Sequence, residues 1–90
     1  MTVARRFTIT GQVQGVGFRW AAQGEADRLG LVGRVRNRTD GAVEVTAQGE
    51  ERAMQRFSDW LEHGPRWAAV SDVDVEPIDP FEASSFEITR

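Results

Sequence analysis

The residues best suited to chemistry are Gln14-Gly15-Val16-Gly17-Phe18-Arg19. They separate a segment that alternates apolar and polar residues from one with helical spacing, so they join a strand to the start of a helix. No Ser, Thr, Asp or Asn stands between Gln14 and Phe18 to cap that helix, which leaves several backbone N–H groups without a local side-chain acceptor. Gly15 and Gly17 permit a tight turn in which those amides converge, and a helix N-terminus adds positive potential. Arg19 contributes a planar, permanently charged fork matched to phosphate or carboxylate oxygens. The chemistry implied is an oxyanion cradle. By spacing alone, a plain tight connection is the commoner meaning of such a loop. Gly11, Gly15 and Gly17 do not follow the G-x-G-x-x-G order of a dinucleotide site.

Composition narrows the reactions available to such a cradle. The 90 residues contain no cysteine and no lysine, so thiolate nucleophiles, disulfides, Schiff bases and a P-loop lysine are all excluded. A single histidine, His63, leaves little material for a triad or a His-based metal site. What remains is Arg, Asn, carboxylates, hydroxyls and backbone amides. A net charge of −3 argues against a dedicated nucleic-acid binder. With 40% hydrophobic and 28% charged residues the chain reads as globular, and its length gives room for one core, so residues 1–90 are expected to form a single domain. No apolar run approaches the roughly 18 residues of a membrane span, and the N-terminal residues alternate rather than form a signal core, so no membrane association and a cytoplasmic address are expected.

The elements that must position the loop follow from periodicity. Phe7, Ile9 and Val13 against Arg6, Thr8, Thr10 and Gln12 predict a half-buried strand over 6–13. Phe18, Ala22, Ala26 and Leu29 predict a helix over 18–29, stopped at Gly30. Residues 32–48 read as a hairpin about Thr39-Asp40-Gly41, with Val35 and Asn37 sharing one side and Arg34, Arg36 and Arg38 the other. Gln48-Gly49-Glu50-Glu51 predicts the opening of a second helix whose apolar face carries Met54, Phe57, Trp60 and Leu61, ended by Gly64-Pro65. Val73 and Val75 mark a strand over 70–76, and Phe86 and Ile88 a last short one. The expected fold is α+β, a ferredoxin-like βαββαβ sandwich. Its antiparallel sheet has the order 4-1-3-2, two helices on one face and a short extra C-terminal strand.

Two separated blocks of this sequence resemble the signature blocks of the acylphosphatases. One is Gly11-Gln12-Val13-Gln14-Gly15-Val16-Gly17-Phe18-Arg19; the other is Gly30-Leu31-Val32-Gly33-Arg34-Val35-Arg36-Asn37 with Asp40-Gly41-Ala42-Val43-Glu44. Gln48-Gly49, Trp60-Leu61, Gly64-Pro65 and Phe86-Glu87-Ile88 are also similar to the family pattern, so the resemblance covers nearly the whole chain. It implies a small hydrolase, free of cofactor and metal, that cleaves the carboxyl–phosphate bond of a small-molecule acyl phosphate. It further implies that Gln14, Gly15, Val16, Gly17, Phe18 and Arg19 hold the phosphate, and that Arg19 and Asn37 are catalytic, Asn37 holding the attacking water. The sequence departs from the family at Arg34, where an aromatic is usual, and at Ala21 and Ala22, where a hydroxyl is often found. Trp67 is bulk where small residues are commoner. The same fold also serves as a module for regulation or for handling carbamoyl phosphate in larger proteins; a freestanding chain of this length favours a standalone enzyme.

Other polar features have plainer meanings. Arg34, Arg36 and Arg38 are expected to form a solvated stripe paired across strands with Glu44. The competing reading, an RNA-binding sheet, lacks an aromatic on the third strand for a base to stack on. His63 is expected to interact with the negative end of the second helix. Asp72, Asp74 and Glu76 are expected to face solvent, since carboxylates on an open strand form no oxygen cage. Asp72, Asp74 and Pro77 are expected to guard an edge left exposed by the fourth strand and the tail, which favours a monomer.

Overall fold

The computed structural model describes all residues from Met1 to Arg90. In chain order the elements are β1 (Thr2–Gln12), α1 (Phe18–Arg28), β2 (Val32–Asn37), β3 (Val43–Glu50), α2 (Glu51–Leu61), β4 (Ala69–Pro77) and β5 (Phe86–Thr89). The sheet order is β4-β1-β3-β2-β5. β1 pairs antiparallel with β3 and β4, and β2 antiparallel with β3. β5 joins parallel to β2, so the expected antiparallel arrangement holds for β1–β4 and the complete sheet is mixed. Both helices pack on one face, α1 over β2 and β5 and α2 over β3 and β1.

Alternation accounts for which side of each strand is buried. Phe7 and Ile9 of β1, Val35 of β2 and Val43, Val45 and Ala47 of β3 face the helices and are fully buried. They meet Phe18, Ala22 and Ala26 of α1 and Met54, Phe57 and Leu61 of α2 in one continuous core. Phe57 stands at its centre, with ring centroids 6.0 Å from Phe7 and from Phe86, both edge-on, and 6.3 Å from Trp60, stacked. Edge-on and offset stacks of this kind add to simple burial.

Two boundaries differ from the sequence expectation for a shared reason. β1 begins at Thr2 rather than residue 6, and α2 begins at Glu51 rather than at Gln48. Thr2, Val3 and Ala4 pair with Glu50, Gly49 and Gln48, so these residues join a ladder instead of a helical turn. The Gln48 side chain adds to this by donating to the Phe81 carbonyl and accepting from the Phe81 N–H, both at 2.9 Å, which ties down the connection before β5.

Candidate active site

The loop between β1 and α1 is fixed at both ends by core residues, Val13 and Phe18, each 1% exposed. Between them Gly15 and Gly17 have φ of 77° and 78°, and Gly17 is the N-cap of α1. A Cβ at either position would meet nothing within 4 Å, so glycine is required by the left-handed backbone and not by lack of space. Val16 packs against the edge of the core. The Gln14 amide donates to the Arg38 carbonyl at 2.8 Å and to the Ala42 carbonyl at 2.9 Å. Those carbonyls belong to the turn that follows β2, so Gln14 clamps the loop to the strand end that carries Asn37.

This backbone leaves a row of donors unused. From Gly15 through Trp20 no main-chain N–H is hydrogen-bonded to a backbone or side-chain acceptor; the first such bond of α1 runs from the Ala21 N–H to the Gly17 carbonyl, 3.0 Å. α1 has no side-chain cap and no acid in its first turn. Arg19, half-buried, forms no ion pair, whereas Arg6, Arg28, Arg36 and Arg38 all do.

An open hollow of about 170 Å³ lies here, lined by Val13, Gly15, Gly17, Phe18, Arg19, Trp20, Asn37 and Ile88. No carboxylate, histidine or thiol borders it, so its polar groups are donors together with the Asn37 amide. The Asn37 Oδ1 is buried without a hydrogen-bond partner. A buried acceptor left alone costs on the order of 1–3 kcal/mol, and a bound water relieves that cost. Free amides, a guanidinium and a helix N-terminus suit an anion with several oxygens and repel a bare cation.

The structure therefore brings Gly15, Gly17, Phe18, Arg19 and Asn37 around one hollow, Arg19 from the first turn of α1 and Asn37 from the end of β2, on which α1 packs. The side chains of Gln14 and Val16 lie elsewhere, the first as the clamp and the second in the core margin. Sequence reasoning missed Trp20 and Ile88 as lining residues. Trp20 follows Arg19 directly, but which face of the first helical turn looks toward the hollow depends on packing. Ile88 reaches it through the parallel pairing of β5, which has no local sequence signal.

Several other charged groups have partners away from the hollow. Arg36 lies opposite Glu44 and pairs with it at 3.1 Å, and Arg38 pairs with Asp40 at 3.0 Å, so most of the basic stripe is neutralised. Arg34 is exposed, so the aromatic usual in the family is replaced at a surface position. Ala22 is fully buried and does not line the hollow. Arg6 pairs with Glu76 at 2.6 Å across β1 and β4. The His63 Nδ1 lies 3.4 Å from the Asp59 carbonyl at the end of α2, and His63 is not among the residues that line the hollow.

Comparison with known proteins gives a consistent result. The sequence profile of the Acylphosphatase family matches residues 5–88. The acylphosphatase of Acaryochloris marina is 43% identical over 88 residues, spanning 98% of this chain and 95% of that protein. The structure of an acylphosphatase from Coxiella burnetii superposes with a TM-score of 0.95 at 38% identity, covering 98% of this chain and 93% of that one. The crystal structure of acylphosphatase from Bacillus subtilis gives 0.94 at 40% identity over the full length of both. No helix in this fold is long and apolar enough to cross a membrane.

Proposed function

This chain belongs to the acylphosphatase family and hydrolyses acyl phosphates, and from that premise we propose how its residues carry the reaction. The main-chain N–H groups from Gly15 to Arg19, with the Arg19 guanidinium, hold the phosphoryl oxygens. Asn37 holds a water against the phosphorus, its Oδ1 accepting one water hydrogen. The observation that carries this reading is the meeting, around one hollow, of unbonded amides, an unpaired arginine and an asparagine with a lone buried acceptor.

The reaction asks little else of the protein. Water oxygen bonds to phosphorus, the bond from phosphorus to the carboxyl oxygen breaks, and that electron pair leaves on the carboxylate. The water's protons end on phosphate oxygens or solvent. A carboxylate is stable at neutral pH without a proton, its usual pKa being near 4, so no general acid is required. An asparagine amide takes up no proton at neutral pH, so Asn37 orients water and does not act as a base. Phosphoryl transfer spreads charge over the equatorial oxygens, which preorganised amides and an arginine stabilise as that charge develops. No histidine, carboxylate or thiol lines the hollow and His63 is not among its lining residues, so His63→Gln is expected to leave the pH dependence of kcat unaltered.

The same proposal has residues 1–90 acting as one domain, as a cytoplasmic monomer. The cysteine-free, acidic composition supports the compartment, and Asp72, Asp74, Glu76 and Pro77 along the outer strand β4 support the monomer. The decisive test is hydrolysis of benzoyl phosphate by the purified protein in the presence of chelator, beside Arg19→Ala and Asn37→Ala. Each variant is expected to fold and to lose about 100-fold or more in kcat/KM, the size of effect seen when one preorganised oxyanion donor is deleted. Asn37→Ala should leave inhibition by inorganic phosphate intact, and Arg19→Ala should abolish it. Retention of wild-type turnover by either folded variant removes that residue from the mechanism.

A further inference from the structure

Resting on the phosphate-site reading above, we infer that Trp20 and Ile88 form the acyl-group subsite and select substrates with a flat aromatic or extended apolar acyl group. Large exposed apolar side chains are few in this fold: Met1, Trp20, Trp67, Val75 and Ile88. Of these only Trp20 and Ile88 line the hollow that holds Arg19 and Asn37.

The three tryptophans show why Trp20 needs an explanation. Trp60 packs on the core and stacks on Phe57, with Phe18 5.8 Å away. Trp67 lies under the Arg66 guanidinium, 5.2 Å from its centroid, a surface cation–π pair. Trp20 is 77% exposed and belongs to no core contact or aromatic pair. Folding therefore gains little from its indole. The hollow's other apolar members, Val13 and Phe18, are each 1% exposed and have no surface to offer a ligand. Accessible apolar surface at the site is thus confined to Trp20 and to Ile88, which is 38% exposed.

An acyl phosphate has one polar end and one variable end. With the phosphoryl group on the amides of the 15–19 segment, the acyl group must leave the donor-lined part of the hollow, and Trp20 is one residue beyond Arg19. An indole face presents a wide, rigid surface on which an aryl ring can lie offset-stacked, whereas an acetyl methyl covers little of it. A pocket with a few directing polar groups and an apolar wall is the usual form of a small-molecule site.

The test compares benzoyl phosphate with acetyl phosphate in the wild type, Trp20→Ala, Trp20→Phe and Ile88→Ala, with inhibition by inorganic phosphate measured in each. In Trp20→Ala the benzoyl-to-acetyl ratio of kcat/KM is expected to fall about 3- to 10-fold, through KM, the range of an aromatic pair. Trp20→Phe should recover most of the ratio, and Ile88→Ala should lower it less. An unchanged ratio, or equal losses on both substrates with weakened phosphate inhibition, overturns the subsite and leaves the phosphate site standing. Failure of the wild type to hydrolyse either substrate, or phosphate inhibition that survives Arg19→Ala, removes the phosphate-site reading and the subsite with it.

Discussion

The two helices run side by side on one sheet and have equal lengths, 11 residues each, and neither has a side-chain cap, yet their N-termini differ in backbone and charge. α2 starts with an acid, Glu51, in its first turn, and the Glu51 N–H donates to the Met1 carbonyl at 2.9 Å. α1 starts from a left-handed glycine with no acid, no cap and no acceptor for its first amides. Their buried faces differ as well. α2 inserts Met54, Phe57 and Leu61, while α1 buries one large residue, Phe18, beside Ala22 and Ala26. α2 is built to hold the fold. α1 gives up local satisfaction at one end, and the donors it leaves free are those an anionic substrate needs.

If that division is real, the largest effect on stability belongs to α2 and should leave the chemistry alone. Phe57→Ala removes the ring that touches Phe7, Trp60 and Phe86, and is expected to cost about 3–5 kcal/mol of unfolding free energy in urea titrations. The rate per folded molecule should be preserved. A variant that loses turnover in proportion to stability would mean that the hollow depends on the aromatic core more than on its own loop.

The next effect makes α1 resemble α2. Gly17→Asp sets a carboxylate at the N-cap, where asparagine and aspartate tolerate left-handed backbone better than other residues with a Cβ. That carboxylate would accept from the free amides and neutralise Arg19, so kcat/KM should drop by about 100-fold, comparable to loss of an oxyanion donor. The Tm should fall by less than in Gly17→Ala, since a negative charge at the helix N-terminus offsets part of the backbone strain. Gly17→Ala separates the two contributions: it adds about 1–2 kcal/mol of backbone strain without supplying an anion. A Gly17→Asp enzyme with full activity would show that these amides do not bind the substrate.

The contrast between the helices was half visible in the sequence. Missing cap residues between Gln14 and Phe18, and the acids at Glu50 and Glu51, are local features and were legible as such. Strand and helix types were legible too, because each strand has one polar side and the period changes cleanly at Phe18 and near Glu51. What escaped depends on residues far apart in the chain. β3 continues through Glu50 because Thr2 to Ala4 pair with it, and the acids alone suggested an earlier helix. Gln14 acts as a clamp only because the carbonyls of Arg38 and Ala42 come to it, 24 and 28 positions away. Asn37, proposed here to hold the water, has no local signature for that role, and it stood out only through the resemblance of two separated blocks. Ile88 enters the hollow because β5 pairs parallel with β2, a pairing that alternation cannot specify.

The smallest effect tests whether the other N-terminus is independent of the site. Glu51 sits in the first turn of α2, where a negative charge interacts favourably with the helix dipole by about 0.3–1 kcal/mol. Glu51→Gln should therefore lower Tm by a few degrees at low ionic strength. The difference should shrink toward zero near 1 M salt, where the screening length is about 3 Å. Because the Glu51 N–H remains bonded to the Met1 carbonyl, the helix start itself is retained. kcat/KM and phosphate inhibition should not move, since α2 contributes no residue to the lining of the hollow. A change in either would mean that the charge at α2 is felt across the helix pair, and that the cradle at α1 is tuned by its neighbour as well as by its own uncapped amides.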